Sequence, residues 1–191
     1  METKRISTTE TAKIIKKMLK EYFPDTKFSV RSSKYAGGSS VTIYWTDGPA
    51  EMRVKEIADY FEGADFDSMR DLKTYKRKLE MDEYGNDVEV KYGPDWVHTS
   101  RSYSETFTRE IVQVVINDYN LDADLLDRIE LHRDGTAYWD VMNVRPENMS
   151  ADLGTIFHRY RVKTNATPNG HIKKPRLSAS YLKRLAAKAL V

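Results

Sequence analysis

The chain has 191 residues, 40% of them hydrophobic and 31% charged, enough for one large domain, or a domain with an appendage, around a real core. Cysteine is absent, which excludes disulfides, thiol nucleophiles and thiolate metal sites. No run of 18 apolar residues occurs, so no membrane-spanning helix is expected. The start, METKRISTTETAKIIKKM, has no apolar h-region, and a soluble intracellular protein is the expectation.

The formal charge of +2 hides an asymmetry. Residues 1–152 carry 22 Lys and Arg against all 29 Asp and Glu, a net −7, whereas residues 153–191 carry nine cations and no carboxylate side chain, +9. An acidic body with a basic tail suggests a polyanionic partner, or contact between tail and body. A solvated tail that only aids solubility is the alternative.

In chain order, Ser7-Thr8-Thr9-Glu10 has the spacing of a capping box. Ile14, Ile15, Met18, Leu19 and Tyr22 then form one helical stripe, which Pro24 ends. Lys27–Ser32 and Ser40–Thr46 alternate as strands, joined through a loop containing Gly37-Gly38 that is read as longer than a two-residue turn. Asp47-Gly48-Pro49 reads as a turn delivering proline to the first helical position. Val54, Ile57, Ala58 and Phe61 mark a second helix.

Residues 64–87 are polar and irregular, although Phe66, Met69, Leu72 and Tyr75 have the spacing of a short helix. Val88, Val90 and Tyr92 alternate up to a Gly93-Pro94-Asp95 turn, after which Trp96–Tyr103 is expected to return as their partner strand. A third helix is predicted over about Glu105–Tyr119. Asp134-Gly135 between Ile129–Arg133 and Thr136–Val141 is a strong hairpin signal. Ser150 is placed as the cap of a helix holding Leu153, Ile156, Phe157 and Tyr160. Residues 163–177 read as a linker, and Ser178 as the cap of a last helix with Leu182, Leu185, Ala186 and Ala189 on one side. The fold class is α+β, an antiparallel sheet with helices packed on it, plus a basic helical C-terminal tail.

The chemistry-bearing residues point to binding. His98, His132, His158 and His171 lack metal-ligand spacing, and Asp65-Phe66-Asp67 and Asp122-Ala123-Asp124 are pairs of a kind frequent by chance, Asp122 being at least as plausible as a helix cap. No phosphate-binding glycine loop and no nucleophile elbow occurs. No catalytic residue, metal or cofactor is therefore assigned. Twelve tyrosines and three tryptophans are many for this length. Tyr35, Tyr44, Tyr92 and Tyr103 lie near Arg31, Lys34, Lys91 and Arg101, a mixture that stacks bases and holds phosphates in single-strand binders. The same residues also suit plain strand packing or a protein-binding surface. Carboxylates cluster over 47–71 and 118–134, which permits mimicry of a phosphate track as well as a solvated face.

Thr11-Ala12-Lys13, Phe23-Pro24, Lys27-Phe28-Ser29-Val30-Arg31-Ser32-Ser33, Tyr35-Ala36-Gly37-Gly38-Ser39-Ser40-Val41, Trp45-Thr46-Asp47-Gly48-Pro49 and Phe61-Glu62-Gly63 form a recognisable series. Over about residues 9–104 the chain resembles the twenty-ninth of the large polyvalent protein-associated domains, carried by phages, plasmids and conjugative elements. The resemblance implies context: proteins of mobile elements, for which roles in protecting invading DNA from host defence are proposed. It brings no catalytic residues.

The expected organisation is an α+β domain over 1–119, a small second module or extension over 120–162, and a basic linker and helix over 163–191. The expected function is a non-enzymatic accessory protein in the bacterial cytoplasm that inhibits a nucleic-acid-directed defence system, as an anti-CRISPR or anti-restriction protein. Its partners would be a host defence nuclease or that nuclease's nucleic-acid complex, with no membrane. The alternative is direct DNA or RNA binding. The candidate binding residues are Arg31, Lys34, Tyr35 and Tyr44 on the strands and Lys173, Lys174, Arg176, Lys183, Arg184 and Lys188 in the tail.

Overall fold

Ser7 closes the first helix as its spacing predicts. In the computed structural model, which describes residues 3–81, 87–146 and 150–173, the Ser7 hydroxyl and the Glu10 carboxylate satisfy each other's backbone N–H groups at the start of helix α1 (Thr8–Tyr22). Those bonds hold the Glu10 carboxyl below its ordinary pKa, the Ser7 hydroxyl contributing most. A short strand, β1 (Thr3–Ile6), precedes the helix; nothing in the sequence reading marks it.

β2 (Ser29–Tyr35) and β3 (Gly38–Thr46) form an antiparallel hairpin paired to its end, Tyr35 opposite Gly38. The connection is therefore only Ala36-Gly37, shorter than expected, because Ser33, Lys34, Ser39 and Ser40 continue the ladder. Gly37 takes φ +86°, a conformation glycine adopts without a Cβ clash. Helix α2 (Glu51–Tyr60) begins after Ala50, so Pro49 lies just before the N-cap, not at the first helical position. There its carbonyl accepts a bond from the Trp45 indole at 3.1 Å.

The largest departures come next. Residues 64–75 form a hairpin, β4 (Ala64–Asp67) with β5 (Leu72–Tyr75), where the apolar spacing suggests a helix. The turn is stopped by Asp67, whose carboxylate accepts from the Met69 and Arg70 N–H groups, and by Asp71 at φ +50°. β6 (Lys78–Met81) and β1 flank β7 (Asp87–Tyr92), β1 running parallel to it. β8 (Trp96–Ser102) does not fold back on β7. It pairs in parallel with β3, giving a sheet ordered β2-β3-β8. The inward residues explain the choice: Val97 lies beside buried Val41, continuing one apolar surface.

The fold is α+β, as expected, with both antiparallel and parallel strand pairs. A first core gathers Ile15 and Leu19 of α1, Val41, Ile43 and Trp45 of β3, and Val54, Ala58 and Phe61 around α2. A second core is built on α3 (Glu105–Tyr119), the hairpin of β9 (Ile129–Leu131) with β10 (Ala137–Trp139), and α4 (Leu153–Lys163). α3 has the expected bounds, and it buries Phe107, Ile111, Val112, Val115 and Ile116. It packs into the second core, although the 1–119 boundary groups it with the first module. α4 is capped by Asp152, two residues beyond Ser150. β11 (Asn165–Ala166) and β12 (Ile172–Lys173) form a short ladder within the expected linker. The predicted last helix lies outside the described residues.

Between the cores runs a clasp. Asp47 takes φ +55° and its carboxylate accepts the Ser104 N–H at 2.8 Å. The guanidinium of Arg101, 9% exposed, donates to four backbone carbonyls. Its Nε reaches Asp47 at 2.7 Å, Nη1 reaches Arg161 at 3.1 Å, and Nη2 reaches Gly48 at 3.2 Å and Thr164 at 2.9 Å. Asn165 accepts from the Ala50 N–H at 2.8 Å, and Ala166 donates to the Gly48 carbonyl at 2.7 Å. The Trp-Thr-Asp-Gly-Pro run is thus where residues 161–166 attach.

Candidate nucleic-acid interface

Strand alternation divides the β2-β3-β8 sheet into two faces. Val41, Ile43 and Trp45 point into the first core, which turns Thr42 and Tyr44 outward. Register then sets Arg31 beside Thr42 and Thr42 beside His98, with Ser29, Tyr44 and Ser100 in the adjacent row. Arg31 and Tyr44 are diagonal neighbours, the guanidinium carbon 5.9 Å from the ring centroid. Tyr44 is 43% and Tyr35 50% exposed. Arg31, Tyr35 and Tyr44 thus share the outer face. Lys34 is exposed, but period-two alternation turns it to the opposite side.

The β4–β5 hairpin adds cations that the sequence reading did not single out. Lys73 Nζ is 2.7 Å from Asp95 Oδ2 and donates to the Gly37 carbonyl at 3.2 Å. The Asp95 bond raises the Lys73 pKa, and Tyr75 and Tyr35 add smaller favourable effects, so it is cationic at neutral pH. Asp95 is held in turn by the Ser39 N–H at 2.9 Å, while the Ser39 hydroxyl donates to the Gly93 carbonyl at 3.0 Å and meets Thr8 Oγ1 at 2.8 Å. Gly38 is required here, because a Cβ would collide with the Asp95 carboxylate. Lys73 therefore sits, on a fixed anchor, between the sheet face and a second aromatic, Tyr75, whose ring centroid is 5.3 Å from its Nζ.

Beyond Tyr75 lies a concavity of about 370 Å³ lined by Thr3, Arg5, Lys73, Tyr75, Arg77 and Lys91, among others. Lys91 Nζ rests 3.7 Å from the Tyr75 ring centroid. Arg77 pairs with Glu89 at 3.0 Å. From Tyr44 to Lys91 the surface alternates aromatic and cationic groups. The signal in the sequence was local alternation around Lys73 and Lys91. Their convergence depends on pairings between distant strands.

The other basic–aromatic neighbours named from the sequence are internal. Tyr92 is buried, donating to Glu80, as Tyr60 does at 3.3 Å. Burial pushes the Tyr92 and Tyr60 hydroxyls up, that of Tyr60 to about 12. Tyr103 stacks on Phe107 with centroids 5.6 Å apart beneath Arg101, and burial lowers the Arg101 pKa and raises that of Tyr103. Of the tail cations, Lys173 pairs through its backbone with Asn165. Lys174, Arg176, Lys183, Arg184 and Lys188 lie outside the described residues.

Many of the clustered carboxylates are engaged locally. Asp122 caps the 3-10 turn Ala123–Arg128 and Asp118 accepts from Tyr160 at 2.7 Å, while Arg128 pairs outside the cluster with Asp140 at 2.9 Å. Asp65 pairs with Lys76 at 2.7 Å. Among the described residues no group of three His, Asp or Glu side chains converges as a metal site. His171 contacts Glu110, and His132 stacks on Tyr138 with centroids 4.5 Å apart. No helix among the described residues is long and apolar enough to cross a membrane.

These features define an α+β protein with an exposed basic–aromatic face. Residues 6–104 match large polyvalent protein associated domain 29, and the chain belongs to that family. Membership makes it a phage- or mobile-element-associated protein. No curated protein and no solved structure matches the chain. The matched segment ends at Ser104, the N-cap of α3, where the first core gives way to the second.

Proposed function

We propose that the protein is a non-enzymatic accessory factor of a phage or mobile element that engages nucleic acid along the Tyr44–Arg31–Tyr35–Lys73 face, and by doing so hinders a host nucleic-acid-directed defence system of the CRISPR or restriction kind. The observation that carries the binding is the shared exposure of Arg31, Tyr35 and Tyr44 on one sheet face, with Lys73 anchored beside it. Flat rings accept bases of any sequence by stacking, and the interleaved cations meet phosphates. The defence role is supported by family context alone. The tail cations extend the positive charge on this reading.

Fluorescence anisotropy with labelled single-stranded DNA and RNA tests it. With the contacts of Arg31, Lys91 and Arg5, the log–log salt slope should be about −2, at roughly 0.7 per phosphate; Lys73, paired with Asp95, adds little to it. A truncated chain should end after Lys173, which keeps the Arg161 and Thr164 carbonyls that hold Arg101 and the β11–β12 ladder that follows them. Binding indifferent to salt, or unchanged by Arg31→Ala with Tyr44→Ala, overturns the interface. Unchanged cleavage by the host's defence nucleases in the presence of the protein overturns the defence role and leaves the binding intact.

A further inference from the structure

The concavity beside Tyr75 has a charge arrangement that the sheet face lacks. It lies on the outer side of the β1-β7-β6 sheet, under the β4–β5 hairpin. Four cations line it: Arg5, Lys73, Arg77 and Lys91. Two are neutralised, Lys73 by Asp95 at 2.7 Å and Arg77 by Glu89 at 3.0 Å. The other two, Arg5 and Lys91, are register partners on adjacent parallel strands, so their side chains emerge next to each other on one face. Among the described residues neither has a carboxylate partner. Adjacent like charges repel, and the Lys91 ammonium instead rests on the Tyr75 ring at 3.7 Å. An exposed cation–π contact is weak, so an anion can draw the ammonium away.

We propose that this concavity binds a phosphate monoester carried on a nucleoside, with Arg5 and Lys91 gripping the phosphate and Tyr75 bordering the sugar and base. The proposal takes its ligand class from the nucleic-acid reading above. Two uncompensated positive charges match a monoester, which carries about −1.5 to −2 at neutral pH, better than a singly charged diester. Guanidinium offers a planar fork to phosphate oxygens, and lysine a point charge beside it. The volume of about 370 Å³ falls at the small end of ligand sites, roughly 300–1,000 Å³, which suits one nucleotide and not a folded strand. When Lys91 moves to the phosphate, the face of Tyr75 it covered becomes free for the base. The phosphate can be that of a free nucleotide or of a strand's end, since both present the same dianion.

Isothermal titration of the full chain with AMP, adenosine and inorganic phosphate at low salt tests the site without any variant. AMP should bind at least tenfold tighter than adenosine. Arg5→Gln with Lys91→Gln should weaken AMP by tenfold or more at unchanged melting temperature, Lys91→Arg should retain it, and Arg31→Ala should leave it unaffected. Displacement of AMP by a 5′-phosphorylated oligonucleotide but not its 5′-hydroxyl counterpart identifies the strand end as the source; displacement by neither identifies the free nucleotide. AMP that binds no better than adenosine, or equally well to the double glutamine variant, overturns the site. If an oligonucleotide still binds through Arg31 and Tyr44 in that case, only the concavity is lost. If AMP binds and oligonucleotides do not, the sheet interface fails instead.

Discussion

Arg31 with Tyr44, and Arg101 with Tyr103, are the same pair of side chains, one on the outer face of the β2-β3-β8 sheet and one where β8 ends. On the outer face the guanidinium lies 5.9 Å from its ring and both groups are exposed. At the joint between the cores the distance is 5.1 Å and both are buried, 9% exposed each. Parity separates them. Arg31 stands beside outward Thr42, whereas Arg101 stands beside inward Trp45. A buried guanidinium must find acceptors, because an unsatisfied charged group is costly away from water, and Arg101 finds four carbonyls. The exposed one is free to exchange water for a ligand. An arginine near a tyrosine therefore identifies neither a site nor a strut until the strand's face is known.

The sharpest way to break this comparison is Arg101→Ala. It strips four carbonyls of a donor in a water-poor joint, and a loss of about 3 kcal/mol or more is expected. Thermal unfolding would show this as a fall of roughly 6–12 °C for a chain of this size. Arg31→Ala should change stability by no more than about 0.5 kcal/mol. Equal destabilisation by the two variants would dissolve the distinction.

The buried tyrosines make a pH prediction. Tyr60 has its pKa raised from 10.0 to about 12 by burial, with Glu80 adding to the effect, so the folded state keeps it protonated where an unfolded chain would ionise it. Its contribution is full below pH 10 and is lost as pH climbs towards 12. Tyrosinate absorbance from Tyr60 should appear only together with loss of the near-ultraviolet circular dichroism signal. A single transition near pH 10 with the fold intact would contradict the burial.

On the exposed side, Tyr44→Ala should reduce single-strand affinity by about tenfold, within the roughly 1–3 kcal/mol that one stacked base contributes, with melting temperature unchanged. The smallest effect is local. Ser7→Ala removes the α1 cap and should lower stability by about 1 kcal/mol, or about 2–4 °C, without touching either arginine–tyrosine pair.

Local chemistry was legible in the sequence. The Ser7–Glu10 box, the bounds of α3 and the Asp134-Gly135 turn each depend on residues a few positions apart. Long-range pairing was not. Trp96 aligns with Ser40 and Arg5 with Lys91, and no hairpin-scale pattern reports partners separated by a helix and several strands. The 64–75 segment misled because Phe66, Met69, Leu72 and Tyr75 keep helical spacing while remaining half or more exposed; their spacing reflects no buried stripe. For the candidate interface, the sequence held the outer-face residues Arg31, Tyr35 and Tyr44. Lys73 and Tyr75 required the hairpin, and Arg5 required a parallel strand that four residues do not announce.

The Arg101 clasp also bears on how this module is joined to other polypeptide. The family segment ends at residue 104, yet two of the four oxygens around its buried guanidinium belong to Arg161 and Thr164. The module thus carries a socket and borrows the plug. Any chain spliced after Ser104 inherits a requirement to return a short run of backbone to the Asp47–Ala50 turn, whatever its own sequence. Carbonyl oxygens are common to all twenty amino acids, so the joint constrains the path of the neighbouring segment and leaves its side chains free to vary.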